Sequence, residues 1–163
     1  MEKAKSLQQT PLFHHLEAAD LESVAKIAKE VTFDKGQQII VQGDAGDALF
    51  VMKSGVVRVL RKGSQGTEEM ARLSAGQHFG EMALIDEERR SATVEAVERS
   101  ELIKIQRGDL ENLMLGDVPL AQRVYKSLAK YLSLRLRETS KNLTQMMDLA
   151  KELRKFNYFP ESW

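Results

Sequence analysis

The stretch that decides the reading is Phe79-Gly80-Glu81-Met82-Ala83-Leu84-Ile85-Asp86-Glu87-Glu88-Arg89-Arg90-Ser91-Ala92-Thr93-Val94. It sets one helical turn, Met82 to Ile85, between segments of strand-forming residues. An anion arriving there meets three favourable features. Gly80 lets the backbone come close because it carries no Cβ. The short turn after it presents N–H groups that lack a partner within the turn and attract negative charge. Arg90, nine residues after Glu81, can return to the same place and clamp a phosphate with its planar fork. Glu81, a carboxylate beside such an arginine, can accept a hydrogen bond from a sugar hydroxyl. Together these residues describe a cradle for a sugar phosphate. Singly, each has a plainer reading: Arg90 as a surface ion pair with Glu87 or Glu88, Glu81 as a satisfied turn carboxylate.

Working outward, short β-rich pieces recur between about Val31 and Ile105. They are Gln38-Ile39-Ile40-Val41, Ala48-Leu49-Phe50-Val51-Met52, Val56-Val57-Arg58-Val59-Leu60, Ala92-Thr93-Val94 and Leu102-Ile103-Lys104-Ile105. Turn residues separate them, among them Lys35-Gly36, Gly43-Asp44, Gly46-Asp47, Ser54-Gly55, Gln65-Gly66 and Ala75-Gly76. Many short strands at steady spacing with glycine turns predict a sandwich or jelly roll. No proline interrupts this stretch, so no strand is demoted by one.

Helical patterns flank the strands. Thr10-Pro11 opens one with a capping residue and a proline at the first helical position. Asp20 reads as a second N-cap, ahead of Leu21, Val24, Ile27 and Val31 at helical spacing. After Gly108, Asp109 caps a short helix through Leu110 and Leu113. Pro119 then starts a long one that runs to about Asn157, with Pro160 beyond. The expected fold class is α+β: an antiparallel β jelly roll (β-roll) flanked by N-terminal helices and a long C-terminal helix. The expected division is 1–117 for the N-terminal helices and β-roll, and 118–163 for the C-terminal helix with its short tail.

Composition narrows the function. The 163 residues carry 24 Lys+Arg and 24 Asp+Glu, with 42% hydrophobic and 29% charged residues, which fits a globular chain rather than a disordered one. There is no cysteine, so disulfides, thiolate zinc sites and a cysteine nucleophile are excluded. No apolar run approaches the ~18 residues of a membrane span, and Met1-Glu2-Lys3-Ala4-Lys5 leads into no signal-peptide core. The expectation is a cytoplasmic protein with no membrane partner. The zero net charge argues against a nucleic-acid partner. It hides an asymmetry: Val118 to Trp163 holds 9 basic and 4 acidic residues (+5), leaving 15 against 20 (−5) in the rest. An enzyme is not expected. His14 and His15 are adjacent on a helix and cannot face the same way, His78 stands alone, and no nucleophile or nucleotide-loop motif is present. No metal site and no catalytic residue is expected.

The quoted stretch resembles the phosphate-binding cassette of cyclic nucleotide-binding domains, the family of the bacterial catabolite activator and the protein kinase A regulatory subunits. The cassette reads Phe-Gly-Glu-x-Ala-Leu-Ile, a short variable loop, then Arg-small-Ala-Thr, and every position matches. Gly36, Gln42-Gly43-Asp44, Asp47, Phe50-Val51 and Gly55 fit the family's upstream pattern, so the resemblance covers about residues 10–155. It implies a cyclic nucleotide, cAMP or cGMP, as regulatory ligand. Arg90 would pair with the cyclic phosphate and Glu81 with the ribose 2′-hydroxyl. Gly80, Met82, Ala83 and Ala92 would give backbone contacts. Ser91 would reach the phosphate or the base edge of a guanine. Val59 and Met70 would line the base pocket. Ser after the cassette arginine matches the cAMP-binding bacterial activators, which leans the expectation to cAMP.

The long helix carries a heptad seam, Leu132, Leu136, Thr139, Leu143, Met146, Ala150 and Leu153, of the kind that pairs two copies of a helix. A homodimer through this helix is expected; a seam packed on the chain's own β-roll is the alternative. Thr139-Ser140 resembles the Thr-Ser pair by which the catabolite activator holds the adenine, with Thr139 as a register-setting polar residue the other reading. Tyr131 and Arg135 are further candidates to cover the base. Only 20 residues follow Leu143, so no DNA-binding module is expected. The tail Phe156-Asn157-Tyr158-Phe159-Pro160-Glu161-Ser162-Trp163 reads as a docking peptide or a cap on the helix. The favoured function is a cyclic-nucleotide sensor whose ligand closes the C-terminal helix over the base and signals to an unknown effector protein. The alternative is a ligand-independent dimeric interaction module on the same fold.

Overall fold

The computed structural model describes residues 2–155; the aromatic tail from Phe156 to Trp163 lies outside them. The chain divides into two compact units, Met1–Ser127 and Leu128–Trp163. The first holds two short helices, α1 (Glu2–Gln8) and α2 (Ala18–Ile27), then β1 (Lys29–Phe33), β2 (Gln38–Ile40), β3 (Ala48–Ser54), β4 (Val57–Gly63), β5 (Gly66–Leu73), β6 (His78–Phe79), β7 (Thr93–Ala96), β8 (Ser100–Gln106) and α3 (Arg107–Gly116). A final helix, α4 (Val118–Lys155), begins in the first unit and forms the described part of the second. No described helix is long and apolar enough to cross a membrane.

The strands form two four-stranded antiparallel sheets, ordered β1-β8-β3-β6 and β2-β7-β4-β5. This is the expected jelly roll. Its core is the space between the sheets, filled by Ala48, Phe50, Met52, Val57, Phe79, Val94 and Leu102. β3 reads as a continuous apolar run because Ala48 through Met52 are all buried, which requires cover on both faces. The other sheet lies over one face, and α1 also packs against this strand. Phe50 and Phe79 are register partners whose rings stack 5.2 Å apart. That stack ties the start of the quoted stretch to the core and adds about 1 kcal/mol beyond area burial.

Three boundaries differ from expectation. Val31 belongs to β1, not to a helix: α2 closes at Ile27, and Val31 pairs with Leu102 of β8. Its spacing from Ile27 satisfied both periods. Asp20 is not the N-cap of α2; Glu17 is, with extended backbone at φ −77° and ψ 163°. Asp20 sits three residues further in, where its carboxylate accepts from the Glu17 amide at 2.9 Å. It also accepts the fork of Arg123 on α4, at 2.6 and 2.7 Å, so a local cap doubles as a long-range tie. Third, α3 starts at Arg107, two residues before the expected cap Asp109.

β1, β5 and β6 were not foreseen. β5 follows β4 through the Gly63–Gly66 turn, and its residues Gly66 to Arg72 are all exposed. A strand solvated on both faces shows no alternation for a pattern search to find.

Candidate functional site

The cassette leaves the core at Phe79 and returns as β7. Gly80 adopts φ +80°, the left-handed region, which only glycine enters without strain. A one-turn 3-10 helix follows, Glu81–Leu84. Its Ala83 amide donates to Gly80 O at 3.2 Å, and those of Ile85 and Asp86 donate to Met82 O at 3.0 and 3.1 Å. The amides of Glu81 and Met82 precede these as the open N-terminal donors of the turn.

Arg90 lies against this glycine. Its Nη2 donates to Ala48 O at 2.8 Å and its Nη1 to Gly80 O at 3.5 Å. A β-carbon on Gly80 would stand 2.7 Å from Nη1, and one on Gly46 would stand 3.1 Å from Nε. Glycine at both places therefore lets the guanidinium settle against backbone. The backbone of Arg90 is fixed too: its amide donates to Asp44 O at 2.8 Å, and its carbonyl accepts from the Gly43 amide at 2.9 Å. The surface ion pair with Glu87 or Glu88 does not form among the described contacts; Arg107 is the residue within ion-pair reach of Glu87.

Burial pushes the Arg90 pKa below its ordinary value, while the charges of Asp47 and Glu81 pull it back. A guanidinium stays protonated through such a shift. The result is a cation held in partly dry surroundings, where an arriving anion gains more than it would in water. Arg90 also borders a cavity of about 130 Å³, whose other walls include Ile40, Asp47, Phe50 and Lys104. The Lys104 ammonium lies 5.8 Å from the Phe50 ring centroid. Among the described residues, no group of three His, Cys, Asp or Glu is placed to hold a metal ion.

A left-handed glycine, a one-turn helix and a returning arginine at one point are features that sequence comparison can test. The sequence model for the Cyclic nucleotide-binding domain matches residues 30–117. The chain belongs to the cyclic nucleotide-binding domain family. It is 38% identical over 138 residues to a Cyclic AMP receptor protein of Thermus thermophilus, covering 84% of this chain and 62% of the relative. The crystal structure of the Thermus thermophilus Catabolite Activator Protein superposes with a TM-score of 0.74 at 37% identity, covering 85% of this chain and 63% of that one. The regulatory domain of Toxoplasma gondii PKA in complex with cAMP superposes with a TM-score of 0.65 at 26% identity, covering 69% and 43%. The chain thus spans less than two thirds of these relatives.

In this cyclic nucleotide-binding domain, the remaining candidate residues fall in four places. Ser91 and Ala92 continue from Arg90; Ser91 is exposed, and its carbonyl accepts from Arg61 Nε on β4 at 3.4 Å. Met82 is exposed and Ala83 buried on the turn. Val59 pairs with Val94 and Ala71. The β4–β5 register then skips one residue, since Leu60 pairs with Glu69. The skipped residue is Met70, so it sits on a bulge that re-aims its side chain, and it is 55% exposed. Thr139 and Ser140 lie on α4 in the second unit, where Thr139 Oγ1 donates to Arg135 O at 2.9 Å.

Sequence reasoning missed Gly46, Asp47 and Ala48 as parts of the arginine's seat. Ala48 acts through its carbonyl, which no residue type announces. Gly46 looked like an ordinary turn glycine. Asp47 carried a signal, an acid in the glycine-rich turn Gly43-Asp44-Ala45-Gly46-Asp47, but its target lies 43 residues away in sequence.

Proposed function

We propose that this cyclic nucleotide-binding domain is a regulatory module that takes cAMP in preference to cGMP and signals through its C-terminal helix to an effector protein. The observation that carries the reading is the Arg90 seat. A buried-side guanidinium is held at Ala48 and Gly80 beside a helical turn with open amides. In this reading Arg90 pairs with the cyclic phosphate and Glu81 accepts the ribose 2′-hydroxyl. Gly80, Met82, Ala83 and Ala92 contribute backbone contacts, Ser91 reaches the phosphate, and Val59 and Met70 line the base. Thr139 and Ser140 cap the base from the helix. The cAMP named for the relatives above supports the choice of ligand.

A second copy of the chain is the partner proposed for α4. Leu136, Leu143 and Met146 of the heptad seam are 68%, 57% and 68% exposed. Apolar side chains repeated in this way along a helix are the usual mark of a helix partner.

Titration calorimetry with cAMP and cGMP tests the ligand. The expected result is saturable binding of both, tighter for cAMP, with Ser91→Thr narrowing the difference. Absence of binding for both nucleotides at high micromolar concentration would remove the sensor reading and leave the dimeric interaction module.

A further inference from the structure

Arg107, the first residue of α3, touches the cradle at three separate points. Its backbone amide donates to Asp47 O at 2.8 Å, next to the Ala48 whose carbonyl seats Arg90. Its Nη1 donates to Asp86 O at 2.9 Å and to Ala83 O at 3.4 Å. Those two carbonyls form the C-terminal end of the cassette turn. Its side chain is only 22% exposed, with Glu87 at 3.6 Å and Glu111 at 3.9 Å as ion-pair neighbours.

A single 3-10 turn has little stability of its own, since few hydrogen bonds offset the ordering of its backbone. Its last carbonyls have no partner within the turn. A cation at that end also opposes the negative pole of the helical dipole. Arg107 supplies both carbonyls from one nitrogen, Nη1, at the far end of its rigid planar group; a lysine ammonium ends one bond short of that place and lacks the fixed plane. The ion pairs add less: Glu87 is 89% exposed, and pairs of that kind contribute little.

We propose that Arg107 is a positioning residue for the nucleotide site: by holding the Ala83 and Asp86 carbonyls and the Asp47 loop together, it keeps the cassette turn in its ligand-ready form. Nucleotide affinity is thereby coupled to the first turn of α3, and by reciprocity a bound nucleotide steadies that turn of α3. The ligand half of this proposal rests on the cassette being the nucleotide site; the ordering of the turn does not.

The experiment compares the full chain with Arg107→Ala and Arg107→Lys. Hydrogen exchange is followed at the Ala83, Ile85 and Asp86 amides without ligand, and cAMP affinity is measured by calorimetry. Exchange at those amides is expected to speed up, and affinity to fall, by about tenfold in both variants, the loss of one or two charged hydrogen bonds. Exchange in β3 and β8 stays as in wild type, which a general loss of stability would not allow. Wild-type exchange in the turn, or affinity within about twofold of wild type, overturns the proposal. Full rescue by Arg107→Lys also overturns it, because charge alone would then suffice. Should Arg107→Ala not fold, the lysine variant carries the test. Should the wild type bind no cyclic nucleotide, the proposed function falls, and exchange in the free protein still decides whether Arg107 orders the turn.

Discussion

Gly80 and Arg90 are ten residues apart in sequence, yet the Arg90 guanidinium occupies the space where a Gly80 side chain would be. A β-carbon there would stand 2.7 Å from Nη1 and 2.8 Å from Ala48 O. Gly80→Ala therefore meets two obstacles at once, a collision and a left-handed backbone at φ +80°. The expected cost is about 1–3 kcal/mol of stability from the strained backbone. Displacement of Arg90 should lower cAMP affinity by at least about tenfold as well. Urea denaturation and calorimetry check the two effects separately. A variant as stable and as tight-binding as wild type would show that the guanidinium does not need this seat.

The Asp20–Arg123 pair should leave a signature in acid. The Arg123 guanidinium bonded to Asp20 holds its carboxyl below the usual carboxylate range. A lowered folded-state pKa stabilises the fold above the unfolded-state value near 3.8. That stabilisation is lost as pH falls through the folded value. Below pH 4, roughly, the wild type should lose stability more steeply than Asp20→Asn, while at pH 7 the variant is the less stable of the two. Thermal midpoints across the acid range check this. Parallel curves would mean that Asp20 titrates alike in both states.

The heptad seam makes a prediction about assembly. Leu136→Glu with Leu143→Glu places charge at two exposed seam positions and should convert a dimer into a monomer without loss of β-roll stability. Sedimentation at tens of micromolar, on the order used for such helices, distinguishes the species. A wild type that is monomeric with and without cAMP would remove the helix pairing.

How much of this was legible in the sequence depended on what each residue contributes. The cassette was legible because it works through residue types with few substitutes: a glycine at positive φ and an arginine with a forked head. The jelly roll was legible through its buried strands, whose apolar runs and glycine turns follow from packing on both faces. β5 was hidden because Thr67 to Arg72 meet water on every side. Val31 was misread because four residues after Ile27 suits a helix as well as a strand that starts afresh. The seat of Arg90 was hidden for a different reason: Ala48 and Gly80 take part through carbonyl oxygens, which every residue possesses. Asp20 was read as the N-cap, the place Glu17 takes, and its part as the anchor of Arg123, 103 residues later, went unseen. Local rules do not reach that distance.

The most direct test of the central claim is the cAMP affinity of Arg90→Ala measured by calorimetry beside the wild type. The Arg90 guanidinium is the cation that the fold holds at the open turn, and removing it leaves a phosphate without its charged partner. The expected result is a loss of about hundredfold or more, with the thermal midpoint of the free protein little changed. Equal affinity in the two proteins would contradict the account.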